Sequence, residues 1–195
     1  MRGKMSASEY LTKHWTKNKV WRNLKTPRHQ ERFRMCANLT IGEQVIDVGC
    51  ALGHSTAWLR KKNPSVHWSG LDFDEATISA AKILFPKIAF YYAPSIKAFA
   101  DENERAFDSV VCSEVIEHVA DDAEFVHRLK RIARHRVILT TPGRAVNDPG
   151  HLRLYDEAML RELCAPDPCE IMRGKIHPFF FYVVINLSSR LDGDQ

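Results

Sequence analysis

One stretch constrains the fold of this chain more than any other: a mostly apolar run at 45–48 leads directly into a turn of small residues at 49–53. A buried parallel strand that feeds a helix through a ligand-binding loop has this order of residues. Small residues let the backbone approach a ligand closely, and the N–H groups of the following helix can face it. The stretch therefore predicts an α/β fold that binds a nucleotide-like cofactor. An ordinary strand–turn–helix without a ligand is the alternative.

The residues of this loop argue against a dinucleotide. Dinucleotide-binding loops carry glycine at their first, third and sixth positions. Counting from Gly49, the third and sixth positions hold Ala51 and His54. Asp47 lies two residues before the loop, where its charge would repel a pyrophosphate and attract a cationic amine. S-adenosylmethionine carries an α-ammonium group and no phosphate, so it suits this loop better.

Two motifs together identify a family resemblance. The first stretch resembles motif I of class I S-adenosylmethionine-dependent methyltransferases, with Ala51 in place of the middle glycine. The second, at 107–119, reads Phe-Asp-x-Val-Val and then Glu-Val-Ile-Glu-His-Val, as in a later methyltransferase signature. The resemblance covers about residues 42–165. It is to small enzymes similar to the ubiquinone-pathway O-methyltransferases. It implies a doubly wound, seven-stranded Rossmann-like sheet with helices on both faces.

Apolar patterning and breakers predict where the elements lie. Strands are predicted at 45–48, 66–72, 88–92, 107–112, 136–141, 170–173 and 179–186. Helices are predicted at 9–26, 27–38, 55–62, 75–85, 121–134 and 156–164. The chain is expected to be a single methyltransferase domain over 1–195, with a basic, aromatic helical leader or lid at 1–40 and a catalytic core at 41–195. Tyr10, Trp15 and Trp21 of the leader either close over a cleft or anchor its packing.

Composition sets the expected compartment and partners. The five cysteines form no Cys-x-x-Cys pair, which favours reduced thiols and a cytoplasmic protein. No apolar run approaches the roughly 18 residues of a membrane span, and the basic N-terminus does not resemble a secretory signal. Residues 1–35 hold ten Lys or Arg and two acidic residues, which gives this segment a net charge of +8. The remaining residues have a net charge of −4. Such a leader suits an anionic substrate, RNA included, or is simply a solvated helix.

The resemblance also implies the cofactor site. Asp72 follows Gly49 by 23 residues and would accept from the ribose hydroxyls, or else cap the next helix. Phe73 would lie on the adenine or pack in the core. The acid that usually follows the third strand is missing at 93–95, which leaves the adenine contacts open. The residues implied to bind the cofactor are Arg28 (for the carboxylate), Asp47, Gly49, Cys50, Ala51, Gly53, Asp72, Phe73 and Ser113.

Acidic and histidine side chains after the fourth strand are the candidates for chemistry. Glu114, Glu117 and His118 are spaced i, i+3 and i+4, so one face of a helix could present all three, and His151 lies in the loop after the fifth strand. This set resembles the metal ligands of small-RNA 3′-terminal 2′-O-methyltransferases and would suit Mn²⁺, Fe²⁺ or Zn²⁺. In the ubiquinone-pathway group, His118 would be a general base that Glu117 orients. A helix start with acidic residues near its positive end is the third interpretation.

These observations favour an enzyme that moves a methyl group from S-adenosylmethionine to an O or N nucleophile of a small molecule. A divalent metal is possible but not favoured. The alternatives are a metal-assisted RNA 2′-O-methyltransferase and a cofactor-binding protein of the same fold without catalysis. The acceptor and the oligomeric state do not follow from the sequence.

Overall fold

A seven-stranded sheet forms the centre of the molecule, in the order β3-β2-β1-β4-β5-β7-β6. The computed structural model describes residues 24–176 and 178–187. Its strands are β1 (Gln44–Val48), β2 (His67–Asp72), β3 (Ala89–Tyr92), β4 (Phe107–Ser113), β5 (Ala133–Pro142), β6 (Cys169–Arg173) and β7 (Phe180–Asn186). Its helices are α1 (Pro27–Leu39), α2 (His54–Lys62), α3 (Glu75–Leu84), α4 (Ile96–Glu102), α5 (Asp122–Ile132) and α6 (Glu157–Cys164), with a 3-10 helix at Ile116–His118.

The strand directions explain where a ligand can bind. Strands β1 to β5 pair in parallel, while β7 runs antiparallel between β5 and β6. The chain order reverses between β1 and β4, and ligands of open α/β sheets bind at the carboxyl ends of the strands beside such a switch point. The loop at 49–53 and the segment at 113–118 both lie at this edge. All seven predicted strands are present, and the predicted fold class is confirmed.

Helices cover both faces of the sheet because neighbouring strand residues point to opposite sides. Val111 and Ile138 pack with residues of α1 and α2. Their neighbours Val110 and Leu139 pack with residues of α4, α5 and α6 on the other face. Helix α1 is fixed to α2 in part through the rings of Phe33 and Trp58, whose centroids are 5.6 Å apart.

Two elements of the structure differ from the prediction. The helix predicted to end at residue 134 ends at Ile132, and β5 begins at once with Ala133 in an extended conformation. Arg134 lies in the strand, where its Nη1 bonds Asp108 Oδ1 at 3.1 Å. Helix α4, which follows its cap Ser95, was not predicted because it is only seven residues long. The Ser95 hydroxyl accepts from the N–H of Ala98 at 3.2 Å.

The described residues include no helix that is long and apolar enough to cross a membrane. The expected helix at 27–38 is confirmed as α1. Tyr10, Trp15 and Trp21 lie outside the described residues, so their role in a lid stays a prediction, as does the division of the chain into leader and core.

Candidate functional site

The loop between β1 and α2 has an unusual backbone. Gly49, Ala51 and Gly53 have φ of 78°, 48° and 75°, in the left-handed region that favours glycine. A Cβ added to Gly49 would lie 2.4 Å from Val115 Cγ2, and one added to Gly53 would lie 2.4 Å from Phe90 Cζ. The glycines are therefore needed for backbone conformation and for packing. A branched residue at Gly49 would clash with Val115 before it met any cofactor.

The N–H groups of this loop already have acceptors. Those of Gly49 and Cys50 donate to the Leu71 carbonyl at 2.8 and 3.0 Å, and that of Ala51 donates to Asp72 Oδ2 at 2.9 Å. These three N–H groups therefore hold the loop against the end of β2, and the expectation that the N–H groups of the following helix face a ligand stays a prediction. Cys50 is 3% exposed and packs in the hydrophobic core, so its side chain anchors the loop by packing.

Asp72 lies where the ribose-binding acid was expected, at the carboxyl end of β2. Its Oδ2 accepts from Ala51 N–H and its Oδ1 from Asp74 N–H at 3.1 Å, and a carboxylate has further lone pairs for ligand hydroxyls. Burial raises the pKa of Asp72, against the opposing effect of these N–H groups. Asp74, not Asp72, caps α3, accepting from Thr77 N–H at 2.6 Å. Phe73 is half-buried and meets Phe125 edge-on, with ring centroids 6.2 Å apart.

Asp47 connects the end of β1 to the start of α2. Its Oδ2 accepts hydrogen bonds from the hydroxyls of Ser55 at 2.9 Å and Thr56 at 2.7 Å. Burial raises the pKa of Asp47 to about 6, and these hydroxyls and the Arg32 charge oppose the rise. The carboxylate therefore holds the loop to the helix, in addition to any contact it makes with a cofactor.

Buried Arg32 and half-buried Glu114 form an ion pair at the end of β4, with Nη1 and Oε2 3.3 Å apart. Thr140 donates to Glu114 Oε1 at 3.3 Å and shares a 2.8 Å hydrogen bond with the Ser113 hydroxyl. Glu114 has φ of 59°, a strained conformation for a non-glycine residue and one common at functional sites. Burial raises the pKa of Glu114 to about 7, although Arg32 opposes the rise.

Arg32 was missed by the sequence reasoning, which chose Arg28 one turn earlier. Arg28 is exposed and lies over the Phe179 ring, 5.2 Å from its centroid. Arg32 is only 8% exposed, and its Nε has no hydrogen-bond partner in the described part of the chain. The available signal was helical spacing, since residue 32 lies on the same face of α1 as the buried residues Phe33 and Cys36.

A second polar group lies on the 3-10 helix and the loop after β5. Ligand atoms of Glu117, His118 and His151 all lie within 4.8 Å of one another. His118 Nδ1 is 2.9 Å from the Gly150 carbonyl, and the two imidazole rings meet edge-on with centroids 4.6 Å apart. Glu114 is not part of this group. It precedes the 3-10 helix, so the expected helical face carrying Glu114, Glu117 and His118 does not form.

Glu117 is the most unusual member of this group. It is 1% exposed, and neither carboxylate oxygen has a hydrogen-bond partner within residues 24–176 and 178–187. Burial raises its pKa to about 7, and the Arg32 charge is among the influences that oppose the rise. Burial and the neighbouring His118 lower the pKa of His151. The group therefore combines a buried carboxyl group with two imidazoles, a set of oxygen and nitrogen atoms that could bind a cation.

Comparison with known proteins gives consistent results. Residues 46–139 match the model of a methyltransferase domain. A probable S-adenosylmethionine-dependent methyltransferase from Mycolicibacterium smegmatis is 28% identical over 147 residues, which cover 74% of this chain and 56% of that protein. A ubiquinone biosynthesis O-methyltransferase from Alkalilimnicola ehrlichii is 28% identical over 123 residues, covering 60% of this chain and 49% of that protein. The chain thus spans about half the length of these relatives.

The fold is shared with a solved methyltransferase. The crystal structure of magnesium protoporphyrin IX methyltransferase from Synechocystis with bound S-adenosylmethionine aligns with a TM-score of 0.61. The alignment covers 96% of this chain and 100% of that one at 15% identity. Two motifs at family spacing, a seven-stranded mixed sheet and these matches lead to one conclusion. Residues 46–139 form a methyltransferase domain, and the chain is similar in sequence and fold to S-adenosylmethionine-dependent methyltransferases.

Proposed function

We propose that this protein transfers a methyl group from S-adenosylmethionine to an oxygen or nitrogen nucleophile of a small molecule. The observation that carries the proposal is the shared edge of the sheet. The glycine loop and Asp72 lie at the ends of β1 and β2, beside titratable residues at the end of β4. A donor site and groups able to accept a proton are thus neighbours. The ubiquinone biosynthesis O-methyltransferase relatives favour a small acceptor with a hydroxyl nucleophile.

The residues at this edge fit the parts of S-adenosylmethionine. Asp72 has lone pairs left for the ribose hydroxyls, and Arg32 offers a buried donor, Nε, without a partner in the described residues. In this proposal Arg32 takes the cofactor carboxylate, the role first considered for Arg28. Asp47 and Glu114 provide negative charge for the ammonium group, and the backbone at Ser113 approaches it. When bound, S-adenosylmethionine supplies an electrophilic methyl group on a sulfonium sulfur. After transfer of the methyl group, that sulfur is part of a neutral thioether, which is the leaving group.

His118 is our candidate general base. A carbonyl can only accept a hydrogen bond, so the contact with Gly150 requires a proton on Nδ1. The lone pair is then on Nε2, which can take the proton that the acceptor loses as its new bond to the methyl carbon forms. The Gly150 carbonyl, not Glu117 as expected, orients the ring.

A divalent metal at Glu117, His118 and His151 is the second candidate. It is favoured by the unpartnered carboxylate of Glu117 within 4.8 Å of two imidazoles. A mixed nitrogen and oxygen set suits Mn²⁺, Fe²⁺ or Zn²⁺. Such an ion would lower the pKa of an acceptor hydroxyl and orient it. If this metal site exists, the alternative function is a metal-assisted RNA 2′-O-methyltransferase. If no methyl transfer occurs, the alternative is a cofactor-binding protein without catalysis.

Methyl transfer from labelled S-adenosylmethionine to a panel of phenols and amines tests the proposal. We expect His118→Ala to lower kcat/KM by about 10²- to 10⁴-fold, the usual contribution of a general base, while cofactor binding is retained. His127→Ala, an exposed histidine on α5, is the matched control and should leave the rate unchanged.

The same assay in EDTA separates the two candidates. Full activity in the presence of chelator would rule out the metal hypothesis. Loss of activity that added Mn²⁺ restores would support it. Methyl transfer by His118→Ala at the wild-type rate would rule out His118 as the general base. Absence of transfer to every acceptor, with the cofactor bound, would favour the non-catalytic alternative.

A further inference from the structure

Three consecutive phenylalanines, one just before β7 and two at its start, have arginines from other parts of the chain over their rings. The guanidinium carbons lie 3.4 to 5.2 Å from the ring centroids. The pairs are Arg28 and Arg144 on Phe179, Arg32 on Phe180, and Arg173 on Phe181. Four positive charges are therefore gathered at the carboxyl end of β5, where an acceptor would enter.

Most of this charge is not neutralised by the protein. Arg32 pairs with Glu114, but no carboxylate in the described ranges lies within ion-pair distance of Arg28, Arg144 or Arg173. An aromatic face attracts a guanidinium without removing its charge. It also fixes the guanidinium plane and leaves the N–H edge available for an anion. Arg28 and Arg144 share one ring and are both exposed, so a single anionic group could meet both.

The start of α1 adds to the positive potential. This 13-residue helix has no acidic residue in its first turn. Helix N-termini carry a partial positive charge and bind anions through free N–H groups. Arg28 is in this first turn, so the helix end and the guanidinium act on the same region.

The two arginines on Phe179 are connected to the candidate catalytic residues. Arg28 lies one helical turn before Arg32, which contacts Glu114. Arg144 begins the loop that carries His151, and that loop is fixed at its start by the bond from Gly143 N–H to the Phe179 carbonyl, 2.7 Å long. An acceptor whose anionic group meets Arg28 and Arg144 is thus held at the same edge as the proposed base.

We propose that the methyl acceptor is a small molecule with a carboxylate or phosphate group, which Arg28 and Arg144 bind through their guanidinium N–H groups over Phe179. This inference rests on the proposed function and names its substrate class. Charge-assisted, bidentate bonds of this kind are the strong ones in proteins. Arg28 accordingly serves the acceptor, while Arg32 serves the cofactor.

The test uses benzoate and inorganic phosphate as probes. Each is titrated calorimetrically into the protein at low salt, with and without saturating S-adenosylhomocysteine. We expect the double variant Arg28→Gln/Arg144→Gln to bind both probes about ten- to a hundredfold more weakly, the loss typical of hydrogen bonds to charged groups. The control is Arg34→Gln/Arg60→Gln, which removes the same charge from two arginines whose hydrogen bonds within residues 24–176 and 178–187 go to backbone carbonyls. It should bind the probes as the wild type does.

Wild-type affinity of the Arg28→Gln/Arg144→Gln variant for both probes would overturn the proposal, as would a wild-type protein that binds neither. A protein that binds the probes but not S-adenosylhomocysteine would instead contradict the proposed function and leave the anion site supported. A single-stranded RNA oligonucleotide is titrated in parallel. If the RNA binds far more tightly than phosphate and the double variant no longer binds it, the arginines bind a nucleic acid. The proposal of a small anionic acceptor would then be wrong.

Discussion

Glu117 places a carboxyl group in the interior without a hydrogen-bond partner among the described residues. Because burial raises its pKa from 4.5 to about 7, the fold favours the protonated form. The resulting stability is fully present below the unfolded pKa and is lost as pH rises through about 7. Glutamine keeps the shape and cannot ionise. We therefore expect Glu117→Gln to raise the free energy of unfolding at pH 8 by about 1–3 kcal/mol relative to the wild type, and to change it little at pH 5.

Urea denaturation at both pH values, with EDTA to remove metal, measures this difference. Glu157→Gln is the control, since that glutamate is exposed on α6 and should show no comparable pH dependence. Equal effects of Glu117→Gln at pH 5 and pH 8 would mean that the carboxyl group is not held neutral by its surroundings.

Single residues also show where sequence reasoning ends. Asp72 was predicted from spacing along the chain, because the length of a strand–helix unit fixes it. Arg32 and Glu117 depend on contacts across the fold. A basic residue in α1 could be assigned to the site only after α1 was seen to pack against β4, and nothing in the motif at 113–119 indicates that Glu117 is buried.

At the scale of elements, the loop between β1 and α2 holds a strained alanine. Ala51 has φ of 48°, which costs a residue with a Cβ about 1–2 kcal/mol, whereas glycine loses only about 0.5–1 kcal/mol more chain entropy on folding. We expect Ala51→Gly to stabilise the protein by up to about 1 kcal/mol, measured by urea denaturation. Ala57→Gly within α2 is the control and should destabilise it by about 1 kcal/mol. Destabilisation by both changes would show that the strain is absent.

Element boundaries were predicted less well than element types. Strands with continuous apolar runs, such as β1 and β7, were recognised because both of their faces are buried. The junction of α5 and β5 was misplaced because residues 133–135 are polar enough to continue a helix. Their strand pairing depends on β4 and β7, which are distant in sequence.

At the scale of the whole molecule, the sheet brings together groups that are far apart in the chain. Arg32, Asp72, Glu114 and His151 come from α1, β2, the end of β4 and the loop after β5. The order of strands alone places the last three at one edge, and this much followed from the resemblance. The resemblance did not indicate that the polar residues at this edge form two separate groups. Arg32 and Glu114 form one group, whereas Glu117, His118 and His151 form the other.

Calorimetric titration with S-adenosylmethionine, with NAD titrated in parallel, tests the central claim most directly. We expect one S-adenosylmethionine site per chain and no NAD binding. Asp72→Ala should weaken the binding of S-adenosylmethionine by about 1.5–3 kcal/mol, the value of hydrogen bonds to a charged group. Circular dichroism confirms that the variant is folded. Binding of NAD, or wild-type affinity of folded Asp72→Ala for S-adenosylmethionine, would contradict the account.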